Sequence, residues 1–338
     1  MKNRPFLWEN ISRYKNEIYG ISILWIMLFH AIAMVGLDYT FGGIVLLKPL
    51  DAIIGYGNLG VEIFLLCSGI CLYFSYHSKP EMISFLKKRF IRLFLPVVII
   101  SGPYWIWSLL IKEQAYATFI SKLTMLDFWI SGDQQIWFVS LILVCYILYP
   151  YIYTFLFKCG YKNIWIRLFI LLAVVMLPTL SMAGAYPEIY EKIEIALSRI
   201  PIFIIGCFVG KFVYEKKTMS RWTYAAAFVV DCFVFIVLYL DIFQSLFNRW
   251  FYMIGGISMT ITIVGILNIL KCDILQKFFA FFGKISLNLY VAHIIIIRLY
   301  KETMFFEEPR LIHYAVILII SILIAWLAEK VIEKILKR

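Results

Sequence analysis

The sequence predicts an all-α polytopic membrane protein, and three observations support this fold class. Hydrophobic residues make up 63% of the 338 residues and charged residues only 16%, whereas roughly 25% of the residues in a soluble domain are charged. The mean hydropathy of the chain is +0.86. Apolar runs long enough to cross a bilayer recur from one end of the chain to the other. Together these observations exclude a soluble globular domain.

Ten apolar runs are candidate transmembrane helices. They lie near residues 18–36, 57–76, 91–111, 135–157, 164–183, 199–214, 222–240, 250–270, 278–299 and 311–332. The sixth run is short and contains Pro201 and Gly206, which membrane helices tolerate. We therefore predict one bundle of about ten transmembrane helices that forms a single domain over residues 1–338, without an appended soluble domain.

The basic residues are distributed unevenly among the connecting segments. The net charge of +11 is compatible with a nucleic-acid partner. With the N-terminus in the cytoplasm, however, most of the 32 basic residues fall on the cytoplasmic side of ten spans, as is typical of membrane proteins. We therefore predict cytoplasmic termini and a multi-pass protein of the plasma or inner membrane that contacts the lipid bilayer and binds no nucleic acid.

Three ionisable residues lie inside the predicted spans. From the helical rise, His30 and Glu62 lie roughly 8 to 9 Å below one membrane face and His293 about 10 Å deep, and ten spans place all three toward the outer face. Ionisable side chains are costly inside a bilayer and usually functional. His30 is suited to act as a general base, because imidazole exchanges protons near neutral pH. We expect Glu62 to orient its ring, with His293 as the alternative partner.

A pair of arginines precedes the third span. Arg89 and Arg92 are three residues apart in the segment FLKKRFIRLFLP, so they share one helical face. Their planar guanidinium groups suit phosphate oxygens, which they can hold through paired hydrogen bonds. The alternative is that both arginines only anchor the helix on the cytoplasmic side.

The chain contains no HExxH metal motif, glycine-rich phosphate loop or GxSxG elbow. The seven cysteines are scattered without a CxxC pair, so we interpret them as packing residues and expect no metal. Ser286, Tyr290 and His293 stand at spacings of four and three residues, which places them on one helical face. Any chemistry must therefore come from the helix bundle and its short loops.

Five segments spread along the chain carry a family resemblance. They are GISILWIMLFH ending at His30, GNLGVEIFLLCSG around Glu62, the arginine pair before LFLP, IWFVS at Trp137, and GKISLNLYVAH ending at His293. This ordered set covers nearly the whole chain and resembles the acyltransferase 3 family of membrane acyltransferases.

The resemblance implies an O-acyltransferase, and usually an O-acetyltransferase. Such an enzyme takes the acyl group from cytoplasmic acyl-CoA, here expected to be acetyl-CoA, and places it on a sugar hydroxyl of an extracytoplasmic polysaccharide or lipid-linked glycan. It implies a catalytic role for His30 and acyl-CoA contacts for Arg89 and Arg92. Many members have an arginine eleven residues before the histidine, where this chain has Tyr19, so we expect the donor site to differ there. We expect Trp137, Ser140, Ser286 and Tyr290 to bind the acceptor substrate.

A proton-coupled transporter or lipid-glycan flippase is the competing hypothesis. In that case His30, Glu62 and His293 would form a proton relay or a substrate path. Transporters often contain two related halves, and no such repeat is evident in the sequence. Transfer of a labelled acyl group from acetyl-CoA to a glycan distinguishes the enzyme from the transporter.

Overall fold

The described part of the chain is built from α-helices joined by short connections. A computed structural model describes residues 7–35, 53–160, 163–243, 246–270, 272–303 and 311–337. In chain order the helices are α1 Glu9–Arg13, α2 Lys15–Val35, α3 Leu59–Ser78, α4 Met82–Ile111, α5 Tyr116–Leu123, α6 Asp127–Ser131, α7 Trp137–Phe157, α8 Ile164–Ala185, α9 Pro187–Leu197, α10 Ile200–Tyr214, α11 Arg221–Tyr239, α12 Leu246–Leu270, α13 Asp273–Lys284, α14 Ser286–Thr303 and α15 Leu311–Leu336.

Most of these helices are long enough to cross a membrane. Among the described residues, eight helical segments pass by length and apolar composition, and a ninth does so if the bent pair α13 and α14 counts as one span. The first predicted span corresponds to α2, whose 21 residues extend over about 31 Å. The prediction of an all-α polytopic membrane protein is therefore confirmed.

Two of the predicted spans differ from the structure. The run 199–214 is only part of a longer apolar segment, Pro187–Tyr214, which includes α9. The run 278–299 is not one straight helix, because α13 and α14 meet at an angle of 66°. The bend follows Gly283, whose Cα lies so close to the backbone of Asn16 that an added Cβ would overlap its carbonyl oxygen. The residues on both sides of this bend are mostly apolar, so a hydropathy profile does not reveal it.

Glycines also allow α3 and α10 to pack closely. A Cβ added to Gly69 would overlap the carbonyl oxygen of Phe203, and one added to Gly206 would overlap the carbonyl oxygen of Leu66. Small residues of this kind let membrane helices approach until their backbones touch. The contact fixes α3, which carries Glu62, against α10.

Residues from segments predicted to share one side of the membrane contact each other. Glu9 and Lys216 form an ion pair at 2.8 Å, and both are predicted to be cytoplasmic. Asp133 and Arg298 form an ion pair at 3.2 Å, and both are predicted to be outside. The relative positions of these segments agree with the alternating topology, whereas the orientation in the membrane stays a prediction.

Cysteine labelling tests that orientation. We expect Glu113→Cys to react with a membrane-impermeant maleimide in intact cells, and Glu81→Cys to react only after the membrane is permeabilised. Both glutamates are exposed on the described surface, and they flank α4 at its two ends. The reverse pattern would place the termini outside and would refute the predicted topology.

An ion cluster at the end of the bundle that is predicted to be outside joins α4, α5, the α6–α7 connection and α14. Its members are Lys112, Lys122, Asp133, Arg298 and Glu302. Lys112 contacts Glu302 at 2.8 Å, Lys122 contacts Asp133 at 3.4 Å, and Arg298 contacts Glu302 at 3.7 Å. Burial alone would raise the pKa of the Asp133 carboxyl, but Arg298 and Lys122 outweigh burial and hold the pKa below its ordinary value.

The lowered pKa of Asp133 predicts a pH-dependent contribution to stability. Because this carboxyl binds its proton less readily in the folded protein than in the unfolded chain, it stabilises the fold at neutral pH, and the contribution is lost as the pH falls below about 4. Asp133→Asn should therefore lower the free energy of unfolding by about 1 kcal/mol at pH 7. The difference in melting temperature should shrink on acidification, whereas a constant difference would contradict the assignment.

Candidate active site

The structure brings His30 and His293 together. Nδ1 of His30 lies 2.7 Å from Nε2 of His293, and the two rings stack with centroids 5.0 Å apart. His293 is only 1% exposed, while His30 is partly exposed. This histidine pair joins α2 to α14. His293 is the partner that was predicted for His30 as the alternative to Glu62.

The hydrogen bonds of the pair assign the protons on both rings. Nδ1 of His293 lies 2.8 Å from the carbonyl oxygen of Leu289. A carbonyl oxygen only accepts, so this Nδ1 carries the hydrogen and Nε2 of the neutral ring is an acceptor. His30 must then donate its Nδ1 hydrogen to His293, which leaves Nε2 of His30 with a free lone pair. His293 therefore holds His30 in the tautomer whose Nε2 can accept a proton.

The predicted pairing of Glu62 with His30 is wrong. Oε1 of Glu62 lies 2.8 Å from Nε of Arg199, and each side chain is only 1% exposed. Helical rise gives the depth of a residue in the bilayer but not the direction in which its side chain points. Glu62 faces the segment between α9 and α10, where an arginine meets it.

Arg199 is the centre of a buried cluster on this side of α3. It donates to Oδ1 of Asn58 at 2.9 Å and to the carbonyl oxygen of Ile195 at 2.7 Å. Its guanidinium also lies 5.1 Å from the ring centre of Trp137. Because a buried charge requires partners to remain charged, this cluster holds α3, α7 and the start of α10 together.

Arg89 and Arg92 line a cavity of about 520 Å³, here called the basic cavity. Its other charged lining residues are Lys284, Lys337, Glu329 and Glu333. Arg89 donates to the Ser75 hydroxyl at 2.7 Å and lies 5.8 Å from the ring centre of Tyr146. The four basic side chains outnumber the two carboxylates, so the cavity favours an anion.

The first turn of α14 adds to this preference. Leu287 and Asn288 line the basic cavity directly after the bend, so the positive end of the helix dipole is near it. Asn288 donates to Oε2 of Glu329 at 2.8 Å, which fixes this carboxylate at the edge of the cavity. Backbone N–H groups at a helix start commonly bind phosphate.

A second, inner cavity of about 140 Å³ adjoins the basic cavity. The two cavities share Leu93, Tyr146 and Leu287 as lining residues. Along α2 the inner cavity extends from Tyr19 to Ile26, a rise of about 10 Å. Since His30 follows Ile26 by one helical turn, the inner cavity leads from the basic cavity toward the histidine pair.

The predicted binding residues separate into two groups. Tyr19, Ser286 and Tyr290 line the inner cavity; the Tyr19 ring stacks on Phe64 at 5.0 Å. Tyr290 also packs edge-on against His293, with ring centres 5.8 Å apart. The other two residues lie elsewhere. Trp137 belongs to the Arg199 cluster, and the Ser140 hydroxyl points to the carbonyl oxygen of Ile136 in its own helix.

Sequence reasoning missed Arg199, Asn288 and Glu329. Arg199 stands at the edge of an apolar run, where a basic residue is typical of a solvated helix end, although it is 1% exposed. Glu329 lies among charges at the end of the last span, where acidic residues are common. The pattern Ser286, Tyr290 and His293 lacked Asn288, because this residue faces α15 rather than the histidine.

Comparison with known proteins identifies the chain. A family model described as an acyltransferase domain matches residues 20–330. No curated protein and no solved structure matches the chain. The matched region contains both histidines of the pair and the residues that line the two cavities from Ile26 to Glu329, whereas Tyr19 lies one position before it. The chain therefore belongs to the acyltransferase 3 family and is a membrane acyltransferase.

Proposed function

We propose that the protein is an acyl-CoA-dependent O-acyltransferase that acylates a sugar hydroxyl on the outer side of the membrane. The observation that supports this function most strongly is the continuous order of three sites: basic cavity, inner cavity and histidine pair. Acyl-CoA has phosphates at one end and a thioester at the other, joined by a long narrow arm. The phosphates suit the basic cavity, the arm suits the inner cavity, and the thioester would then lie near the histidine pair.

The basic cavity suits the nucleotide end of the donor. Arg92 is exposed at the cavity and Arg89 is partly fixed by its bond to Ser75. Both can bind phosphate oxygens through charge-assisted hydrogen bonds. The inner cavity between Tyr19, Phe64 and Tyr290 would then take the arm, and its small volume favours a short acyl group such as acetyl.

The histidine pair supplies the proton transfer. Nε2 of His30 removes the proton from the acceptor hydroxyl as its oxygen attacks the thioester carbonyl carbon. When the tetrahedral intermediate collapses, the carbon–sulfur bond breaks and the thiolate takes the proton from His30. The products are the acylated sugar and free coenzyme A, and His30 returns to its neutral form.

The acceptor is expected to approach from the outer side. His30 lies fifteen residues from the start of α2, a rise of about 22 Å, and is therefore nearer the outer end of that helix. A glycan on that side can meet a donor that enters from the other side, so the acyl group crosses the membrane within the bundle.

A reconstituted assay tests the function. We expect purified protein in lipid nanodiscs to transfer a labelled acetyl group from acetyl-CoA to surface glycan extracts, with an ester to a sugar hydroxyl as product. Palmitoyl-CoA should be a poor donor because the inner cavity is small. Donor consumption that needs no acceptor, or no transfer to any glycan fraction, would refute the proposal.

Replacement of Arg92 should weaken donor binding. Arg92→Ala removes charge-assisted bonds to phosphate, each worth about 1.5 to 3 kcal/mol, so the dissociation constant for coenzyme A should rise about 10- to 100-fold. Arg92→Lys should restore part of the affinity, since an ammonium keeps the charge but not the planar geometry. Isothermal titration with coenzyme A measures both variants.

Lys88→Ala is the matched control for Arg92→Ala. Lys88 is an exposed basic residue on the same helix, and it is not among the residues that line the basic cavity. Arg89→Ala is less informative, because the Arg89 side chain also packs against Phe85 and Tyr146. Equal losses of affinity in Arg92→Ala and Lys88→Ala would mean that surface charge, not the cavity, attracts the donor.

A further inference from the structure

A lateral groove runs between α4 and α7 on the outside of the bundle. It has a volume of about 370 Å³. Ile83, Leu86, Lys87 and Phe90 line it from α4, and Leu143, Tyr146 and Ile147 line it from α7. The spacings of three and four residues show that each helix contributes one face.

The groove is apolar and open to its surroundings. Phe90 is 42% exposed and Ile147 is 46% exposed, so the groove lies on the surface of the bundle rather than in its core. In a bilayer this surface meets hydrocarbon, which can fill an apolar groove at no cost in hydrogen bonds. A flexible alkyl chain would regain the dispersion contacts that an empty groove lacks.

The charged lining residue of the groove is a lysine. Lys87 is exposed and lies in the second turn of α4, at the end that the charge asymmetry predicts to be cytoplasmic. Anionic lipids give the cytoplasmic leaflet its negative surface potential. An ammonium beside an alkyl-sized groove matches a molecule with a negative headgroup and a fatty chain.

We infer that the lateral groove binds an anionic phospholipid, with one fatty chain between α4 and α7 and the phosphate on Lys87. The Tyr146 ring forms a wall of this groove and also lines both cavities. A lipid in the groove therefore contacts Tyr146, the residue on which Arg89 packs.

Lipid titration followed by native mass spectrometry tests the site. The delipidated full-length protein is titrated with phosphatidylglycerol and with phosphatidylcholine of the same chains. Parent protein should bind phosphatidylglycerol more tightly. Lys87→Gln should lower that affinity about fivefold without changing the affinity for phosphatidylcholine. Lys88→Gln, which removes the same charge from the neighbouring exposed position, should leave both affinities unchanged.

A second pair of variants tests the fatty chain. Leu143→Phe narrows the groove and should weaken both lipids. Leu148→Phe adds the same bulk at an exposed leucine outside the groove and should weaken neither. Thermal unfolding without lipid verifies that all four variants are folded.

Three results would overturn the inference. Equal effects of Lys87→Gln and Lys88→Gln would indicate diffuse attraction by surface charge. Unchanged lipid binding by Leu143→Phe would show that no chain occupies the groove. Weaker binding of palmitoyl-CoA by Leu143→Phe, with phosphatidylglycerol unaffected, would assign the groove to the tail of a long-chain donor.

Discussion

His30→Ala is expected to abolish acyl transfer while leaving donor binding nearly intact. A positioned general base contributes about 10²- to 10⁴-fold to rate, so kcat should fall by at least about 100-fold. The donor should still bind, because the cavities end one helical turn below His30 and their lining residues remain in place. Turnover in nanodiscs and titration with coenzyme A measure the two effects separately.

His77→Gln is the control for loss of a histidine. Nδ1 of His77 lies 2.7 Å from the hydroxyl of Tyr153, so this residue belongs to an aromatic cluster and not to the histidine pair. Its variant should retain transfer close to that of the parent. Full transfer by folded His30→Ala would remove His30 from the mechanism and reopen the transporter hypothesis for this histidine.

Two variants of His293 test its role, because they differ in whether an acceptor atom remains for the Nδ1 hydrogen of His30. His293→Ala removes the acceptor of the Nδ1 hydrogen, so His30 no longer has a fixed tautomer. His293→Gln keeps an acceptor oxygen and should retain more activity than His293→Ala. This order of rates is expected only if His293 acts by positioning, whereas equal rates for the two variants would contradict that role.

The spans could be predicted from the sequence because hydropathy is a local property. Each apolar run has a helix at the corresponding place, and the family resemblance in five segments agrees with the family match over residues 20–330. The bend of 66° between α13 and α14 could not be predicted, because the residues on both sides of it are mostly apolar and the close approach of Gly283 to Asn16 joins positions far apart in the sequence. The bend matters, since it puts the start of α14 beside the basic cavity.

The candidate site was predictable where one helix carries several of its residues. Shared helical faces correctly grouped Arg89 with Arg92, and Ser286 with Tyr290, at the cavities. The partner of His30 could not be determined in this way. Glu62 and His293 have similar estimated depths, and only the arrangement of the helices determines which one reaches His30.

The Glu62–Arg199 pair should matter more for stability than for chemistry. Breaking a buried ion pair by removing one partner costs about 3 to 5 kcal/mol, because the remaining charge is left uncompensated. Arg199→Ala should therefore lower the free energy of unfolding by roughly this amount. Glu62→Gln should cost less, because Arg199 keeps its bonds to Asn58 and Ile195. Unfolding in detergent with increasing denaturant measures both.

A second ion pair nearby provides a matched comparison. Nε of Arg249 lies 2.8 Å from Oε1 of Glu194, the same separation as in the buried pair, but these side chains are 23% and 20% exposed. Water can solvate either charge when its partner is removed. Arg249→Ala should therefore cost only about 0 to 1 kcal/mol, and the difference between the two arginine variants isolates the effect of burial.

The double variant Glu62→Leu with Arg199→Met separates a structural role from a catalytic one. Replacing both charges with apolar side chains removes the uncompensated charge, and buried pairs treated in this way often lose little or no stability. We expect the double variant to unfold closer to the parent than Arg199→Ala does, and the folded enzyme to transfer acyl groups at nearly the parental rate. If the double variant folds well but transfer falls about 100-fold or more, as it would on loss of a general base or its partner, Glu62 takes part in the reaction after all, and the structural role assigned to the pair is incomplete.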